Sequence, residues 1–304
     1  MLIQVVGRST IGYTPFTFPD GQRHITLEGD VSYSVVTITT SLTCADDLFD
    51  LLLVTDILKT NHNEVDLRID YLTGGRMDRP INSRQPFTLK VVTDIIKTGG
   101  FRSVLVLDPH SSVSTYLLGA TTGMPNIGEV LAHYDSDDTV IVIPDKGAGN
   151  RVLAMTDGTD FTVTSCSKER DLATGKLSGF VVHDPDEVKG KRCLIIDDIC
   201  DGGGTFVGLA KVLRAAGAKS VDLFVTHGIF SKGRVLEGID EIYSTDSFQG
   251  KVWPKDGTRT TYDWPGVKPW PATSGFCTCT WGGQPHDEHR VTCPKFVDHE
   301  ASNG

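Results

Sequence analysis
The sequence predicts an α/β fold whose sheets are mainly parallel and flanked by helices. Three observations predict it. Apolar, β-branched runs recur at residues 35–40, 65–71, 103–107, 139–143, 192–196 and 221–226. Segments with helical spacing follow several of them, at 46–58, 86–98 and 207–216. Polar groups and glycines gather where the runs end, as in Val140-Ile-Val-Ile-Pro-Asp-Lys-Gly-Ala-Gly149. A strand apolar on both faces needs cover on both faces, and parallel strands need a crossover between them, so this alternation points to helices on either side of a sheet.

The 304 residues suit about two domains of ordinary size. We expect a first α/β domain over 1–131 and a second over 132–248, divided between the Gly/Pro-containing stretch 119–128 and the run at 139. There is no strict internal repeat. From residue 249 the composition changes: all four tryptophans, Trp253, Trp264, Trp270 and Trp281, fall in 249–304 among prolines and glycines. That tail has no helix or strand period, yet it is too aromatic for a simple disordered linker. It reads as an irregular segment packed on a domain or a neighbouring subunit.

Lys and Arg number 29 against 39 Asp and Glu, a net charge of −10. Such a balance argues against a nucleic-acid partner. It leaves phosphorylated ligands open, because a divalent cation neutralises them locally. No apolar run approaches the ~20 residues that span a bilayer, so no membrane partner is expected. The opening Met-Leu-Ile-Gln-Val-Val reads as a strand rather than a signal peptide. Seven cysteines, an odd number with Cys44, Cys166, Cys193 and Cys200 dispersed, suggest free thiols in a reducing compartment, and hence a cytoplasmic location.

Residues 193–205, Cys-Leu-Ile-Ile-Asp-Asp-Ile-Cys-Asp-Gly-Gly-Gly-Thr, carry the most information. A buried strand ends in Asp197 and Asp198. Asp201, Gly202, Gly203, Gly204 and Thr205 follow, and a helix-compatible run begins at Phe206. Glycines let backbone N–H groups approach phosphate oxygens, and a helix N-terminus adds partial positive charge. Carboxylates accept hydrogen bonds from sugar hydroxyls. The combination suits a phosphorylated sugar. In open α/β sheets ligands sit beyond the carboxyl ends of strands, so His110, Asp145 and the 197–205 loop are expected to converge. The polar segment 165–179 reads as a mobile cationic loop able to close over a ligand.

Taken in order over residues 15–247, these segments resemble the ribose-phosphate pyrophosphokinase (phosphoribosyl diphosphate synthetase) family, with the type I phosphoribosyltransferase fold. Phe18-Pro-Asp-Gly-Gln22 resembles its Phe-x-Asp-Gly-Glu loop. Arg76-Met-Asp-Arg79 resembles Arg-Gln-Asp-Arg, and Leu107-Asp-Pro-His110 resembles Leu-Asp-Leu-His. Pro144-Asp145 with Gly147 resembles Pro-Asp-x-Gly, and Lys168-Glu-Arg170 resembles the Lys-Arg-Arg catalytic loop. Gly190 through Thr205, Ala215-Ala-Gly-Ala-Lys219 and Thr226-His-Gly228 continue the match.

The resemblance implies two tandem phosphoribosyltransferase-like domains and transfer of the terminal diphosphate of ATP to the anomeric hydroxyl of ribose 5-phosphate. It implies Mg2+ held at His110 and Asp145, with His110, Lys168 and Arg170 catalytic. It implies ATP at Phe18, Asp20, Gln22, Arg76, Asp78 and Arg79, the first three acting across a subunit interface. The acceptor then sits on Asp197, Asp198, Asp201, Gly202, Gly203, Gly204 and Thr205. A homo-oligomer, dimer or hexamer, is implied as well.

Three departures from the family pattern stand out. Gln22 replaces a glutamate, which changes the donor–acceptor pattern offered to adenine. Gly202 replaces the threonine of Asp-Thr-x-Gly-Thr, which removes a hydroxyl and is expected to open space for a larger acceptor. ADP-ribose, giving its 1-diphosphate for NAD synthesis, is therefore a rival substrate. The tail lacks the family's closing strand and helix. Its Cys277, Cys279, His286, His289 and Cys293 allow a zinc site, although Cys-x-Cys is tighter than the usual spacing and packed, reduced thiols are the favoured reading. A phosphoribosyltransferase and a non-catalytic regulatory paralogue remain as functions of other classes.

Overall fold
A computed structural model describes residues 1–5, 10–170 and 177–248, all within one compact unit. The first part of the chain runs β1 (Leu2–Val5), β2 (Thr10–Ile11), β3 (Tyr13–Thr17), β4 (Arg23–Leu27), β5 (Val35–Leu42), α1 (Ala45–Thr60), β6 (Glu64–Leu72), α2 (Thr88–Thr98), β7 (Ser103–Leu107), α3 (Ser112–Leu118) and β8 (Thr121–Gly123). The second runs α4 (Gly128–Leu131), β9 (Thr139–Ile143), α5 (Gly149–Thr156), β10 (Thr162–Arg170), β11 (Leu177–Val182), α6 (Pro185–Val188), β12 (Arg192–Cys200), α7 (Gly204–Ala215), β13 (Ser220–Gly228) and β14 (Ile242–Thr245).

Two six-stranded sheets result, ordered β2-β1-β5-β6-β7-β8 and β11-β10-β9-β12-β13-β14, with β3 and β4 as a separate hairpin. The strands from β5 to β8 pair in parallel, as do β10, β9, β12, β13 and β14. Antiparallel strands stand at one edge of each sheet: β1 and β2 on the first, β11 on the second. The sequence explains the difference. β13 is Ser-Val-Asp-Leu-Phe-Val-Thr-His-Gly and is buried at all seven interior positions, as a strand covered on both faces must be.

The first sheet packs its core around Ile3, Ile38, Leu42, Leu51, Leu67 and Ile69. The second has a core on each face. Ile195, Leu209, Leu213, Leu223 and Val225 form one; Ile141, Val152, Leu194, Ile196 and Phe224, with Val130 and Leu131 of α4, form the other. At roughly 1.5–3 kcal/mol for each fully buried aliphatic side chain, these clusters are what fix the directions of the strand ends.

The described structure differs from the sequence reading at two places. The strand at 192–196 continues to Cys200, its pairing with β13 running on through Asp197↔Val225 to Cys200↔Gly228. Asp197 and Asp198 therefore stand within the strand rather than at its end. The segment expected to be a mobile loop from 165 is regular strand as far as Arg170, with Lys168 opposite Phe180 and Arg170 opposite Leu177 in the backbone register of β10 and β11. Residues 171–176 lie outside the described residues. So does the whole tail 249–304, with its cysteines and histidines. No described helix is long and apolar enough to cross a membrane.

Candidate active site
The carboxyl ends of β6 and β7 meet those of β9, β12 and β13. His110 follows β7, and its Nδ1 lies 2.6 Å from Asp198 Oδ2 on β12. A carboxylate only accepts, so Nδ1 carries the proton and Nε2 is the ring's remaining nitrogen. Arg76, after β6, donates from Nη1 to Asp201 Oδ2 at 3.0 Å. Asp201 also accepts from Ser231 Oγ at 2.5 Å. A cleft of about 820 Å3 opens here, lined by Arg76, Asp78, His110, Asp145, Arg151, residues 197–199 and residues 201–206. A second cavity of about 410 Å3 adjoins it, bordered by Tyr71, Gly75, Arg76, His110 and His227.

Arg151, at the start of α5, holds the acidic groups in place. Its side chain is only 10% exposed. Nε donates to Asp108 Oδ1 at 2.5 Å, while Nη1 and Nη2 stand 3.7 and 3.6 Å from Asp197 and Asp198. Asp108 belongs to the first sheet's strand end and takes a left-handed backbone, φ 36°. Such a conformation is uncommon for a residue with a Cβ and persists where several contacts dictate it. Here Arg151 and Thr226 Oγ1 hold the carboxylate, and His227 Nε2 donates to the Asp108 carbonyl at 3.1 Å. One guanidinium thus braces three carboxylates from both sheets.

The environment separates the two strand acids. Burial, reinforced by the neighbouring Asp198 charge, raises Asp197 to about 8. Burial also penalises the Asp198 charge, but the His110 hydrogen bond and Arg151 outweigh it and hold Asp198 well below the ordinary carboxylate value. Asp197 is the member of the pair that takes up a proton. The hydrogen bond to Asp198 in turn raises the His110 pKa. The three buried thiols are poor nucleophiles: burial lifts Cys166 to about 11 and Cys193 and Cys200 to about 12.

The glycine turn between β12 and α7 is built for close approach. Gly203 has φ 74°, and a Cβ there would stand 2.3 Å from Leu236 Cδ2, so only glycine fits. Gly202 is different. Its backbone is not left-handed, and a Cβ would meet Lys232 Cδ and Cε at 3.4 Å. The aliphatic stem of Lys232 borders the space that glycine leaves at 202, in ordinary contact with where a Cβ would stand.

A phosphoribosyl transferase domain model matches residues 129–256. A ribose-phosphate pyrophosphokinase of Maricaulis maris is 33% identical over 244 residues, covering 76% of this chain and 77% of that protein. The chain belongs to the ribose-phosphate pyrophosphokinase family. Another relative of that name, from Agrobacterium fabrum, is 30% identical over 74% of both chains. The crystal structure of phosphoribosylpyrophosphate synthetase from Mycobacterium smegmatis shares the fold, with a TM-score of 0.65 at 22% identity, covering 79% of this chain and 82% of that one. Membership makes this protein a diphosphokinase-type transferase.

Of the residues singled out from the sequence of this pyrophosphokinase family member, Arg76, Asp78, His110, Asp145 and Asp197–Thr205 come together in one cleft. Phe18, Asp20 and Gln22 do not line it. They cap the β3–β4 hairpin, where Phe18 packs edge-on against Phe16 and Gln22 donates to Asp20 at 2.9 Å. Arg79 is exposed and lines neither cavity. Lys168 and Arg170 are placed by their backbone on β10. Sequence reasoning gave no role to Arg151, Asp108 or His227, although the last two fall in the matched segments 107–110 and 226–228. A lone arginine just after a glycine turn, in a chain with surplus carboxylates, was the available signal for Arg151. Nothing local tells that the histidine of Thr226-His-Gly228 reaches a carbonyl at the end of the other sheet.

No three described His, Cys, Asp or Glu residues are grouped to hold a metal by themselves. Magnesium takes one or two carboxylates and completes its shell with water and substrate phosphates, and Asp145 in the cleft is a donor of that kind. Oxygen donors beside a phosphate turn are the donor set such an ion uses.

Proposed function
We propose that this protein transfers the terminal diphosphate of ATP to the 1-hydroxyl of a 5-phosphorylated ribose, with ribose 5-phosphate as the acceptor, releasing AMP and phosphoribosyl diphosphate. The observation that carries the proposal is the juxtaposition of His110 and Arg76 with Asp198 and Asp201, 2.6 and 3.0 Å apart, across the two sheets. Groups assigned to the nucleotide and groups assigned to the sugar touch one another, so two substrates bound there are adjacent.

Asp197 and Asp198 accept hydrogen bonds from the ribose hydroxyls. The backbone N–H groups of the 202–205 turn, at the start of α7, receive the 5-phosphate. Arg76 and Arg79 contact the triphosphate, and Lys168 and Arg170 supply cations where charge develops on the transferred group. Phe18, Asp20 and Gln22 recognise adenine of a nucleotide bound by a second copy of the chain in a homo-oligomer. Asp145 and His110 Nε2 would hold magnesium, which neutralises the triphosphate. The sugar's 1-oxygen bonds to the β-phosphorus as its hydroxyl proton passes to water, the bond from that phosphorus to the bridging oxygen of the α-phosphate breaks, and AMP leaves. Such a displacement needs no covalent enzyme intermediate, and positioning alone can supply ~7–11 kcal/mol of the barrier.

ADP-ribose is the rival acceptor. The Lys232 stem borders the space at Gly202, so that space by itself does not choose between the two sugars. The charge of Lys232 suits a 5-diphosphate as well as a 5-monophosphate. The test is AMP release with ATP, magnesium and each sugar phosphate separately, with mass identification of the second product. AMP with ribose 5-phosphate supports the proposal, and AMP with ADP-ribose alone replaces the acceptor. No AMP from either, with diphosphate released from phosphoribosyl diphosphate and a nucleobase, would make the protein a phosphoribosyltransferase. No turnover in any of these mixtures would favour a regulatory paralogue.

A further inference from the structure
Two glycines of the phosphate turn are glycines for different reasons. At Gly203 the backbone and the Leu236 side chain both forbid a Cβ, with φ at 74° and the nearest approach at 2.3 Å. At Gly202 neither does. The backbone lies outside the left-handed region, and the nearest atoms to a Cβ are the Cδ and Cε carbons of one lysine at 3.4 Å and its Cγ at 3.7 Å. A methyl fits there. A branched threonine side chain, extending beyond its Cβ, would press on the lysine stem. The two side chains compete for one space beside the phosphate turn.

We propose that Lys232 determines specificity for the phosphate on the acceptor's 5-oxygen, its ammonium standing in for the hydroxyl of the Asp-Thr-x-Gly-Thr pattern from which Gly202 departs. This rests on the diphosphokinase reading above and deepens it.

The lysine is held where it is needed. Backbone N–H groups of Ile229 and Phe230 donate to the Cys200 carbonyl at 2.9 and 3.1 Å, and that of Ser231 donates to the Asp201 carbonyl at 3.1 Å. Ser231 Oγ bonds the Asp201 carboxylate. The segment carrying Lys232 is therefore tied to the turn it overlies, and only the lysine's own stem needs ordering. Its charge reaches the turn: Asp201 titrates below the ordinary carboxylate value because of the Ser231 hydrogen bond first, then Arg76, with Lys232 contributing.

The electrostatics give this substitution a purpose. A phosphate dianion entering the cleft meets Asp197, Asp198 and Asp201, in a chain of net charge −10. A neutral hydroxyl offers one hydrogen bond and no charge. An ammonium offers a charge-assisted bond about twice as strong and offsets the acids. The chemistry it recognises is a dianionic or diphosphate group on the sugar's 5-oxygen, and the two sources, ribose 5-phosphate and ADP-ribose, are separate arms of the test.

The test uses the full chain and steady-state AMP release, with ATP and magnesium saturating. Lys232→Met keeps the stem over Gly202 and removes only the charge. We expect KM for the accepted sugar phosphate to rise roughly 10–100-fold, with kcat and KM for ATP within about twofold, the pattern of a lost ground-state contact. Lys232→Arg should retain most of the affinity. In Gly202→Thr/Lys232→Ala, the vacated space accepts the hydroxyl, and KM should fall back toward the wild-type value. An unchanged KM in Lys232→Met overturns the proposal, as does an equal rise in KM for ATP. Wild-type protein that releases no AMP with either sugar phosphate overturns the diphosphokinase reading, and this inference with it. AMP release with both wild type and an unaffected Lys232→Met removes the lysine's role alone.

Discussion

His110 Nδ1 and Asp198 Oδ2, 2.6 Å apart, join the end of a strand in the first sheet to a strand in the second. The pair ties a residue assigned to the nucleotide to one assigned to the sugar. Because Asp198 raises the His110 pKa above its ordinary 6.5, the pair is fully charged below that value. It loses its charge as pH climbs through the higher folded value. His110→Gln should therefore lower Tm more at pH 6 than at pH 9, measured by thermal melts of both proteins. The same variant should lower kcat by roughly 100-fold, the scale of one lost preorganised contact. A Tm difference that grows with pH would contradict the assignment.

Arg151 balances Asp108, Asp197 and Asp198 from a side chain 10% exposed. Arg151→Met leaves those carboxylates buried without their cation. Urea denaturation at pH 8 should register a loss of about 3–5 kcal/mol. The loss should shrink at pH 5, where Asp197, raised to about 8, is protonated in either protein. Arg151→Lys should recover part of the stability, since a point charge cannot serve three acceptors as the planar fork does.

The glycine turn makes a paired prediction. Gly203→Ala forces a Cβ to 2.3 Å from Leu236 at φ 74°, and should cost about 1–3 kcal/mol in urea denaturation and weaken sugar-phosphate binding. Gly202→Ala places its Cβ in ordinary contact with Lys232 at 3.4 Å, and should stay within about 0.5 kcal/mol of wild type. Equal costs at the two positions would mean that the turn is not held as described.

Lys168 and Arg170 stand on β10, a strand whose backbone pairing does not depend on their side chains. Lys168→Ala and Arg170→Ala should each lower kcat by roughly 100- to 1,000-fold, with stability within about 0.5 kcal/mol. If they act together on one transition state, the double variant should lose less than the product of the two single losses. Single-turnover measurement of AMP release checks both points.

The sequence by itself determined the fold class, since runs such as 140–143 and 221–225 are apolar at every position but Asp222 and a parallel sheet covered by helices is what buries them. It also determined the acids and glycines of residues 197–205, because an acid pair and a glycine turn between an apolar run and a helix is local information. Tertiary structure alone decided which groups meet. Arg151 bracing carboxylates from both sheets, His227 donating to the carbonyl of Asp108, and Lys232 lying over Gly202 are contacts between residues 30 to 119 positions apart. Their energies come from burial and opposed charge once two sheets face each other, and no period or spacing along the chain carries that information.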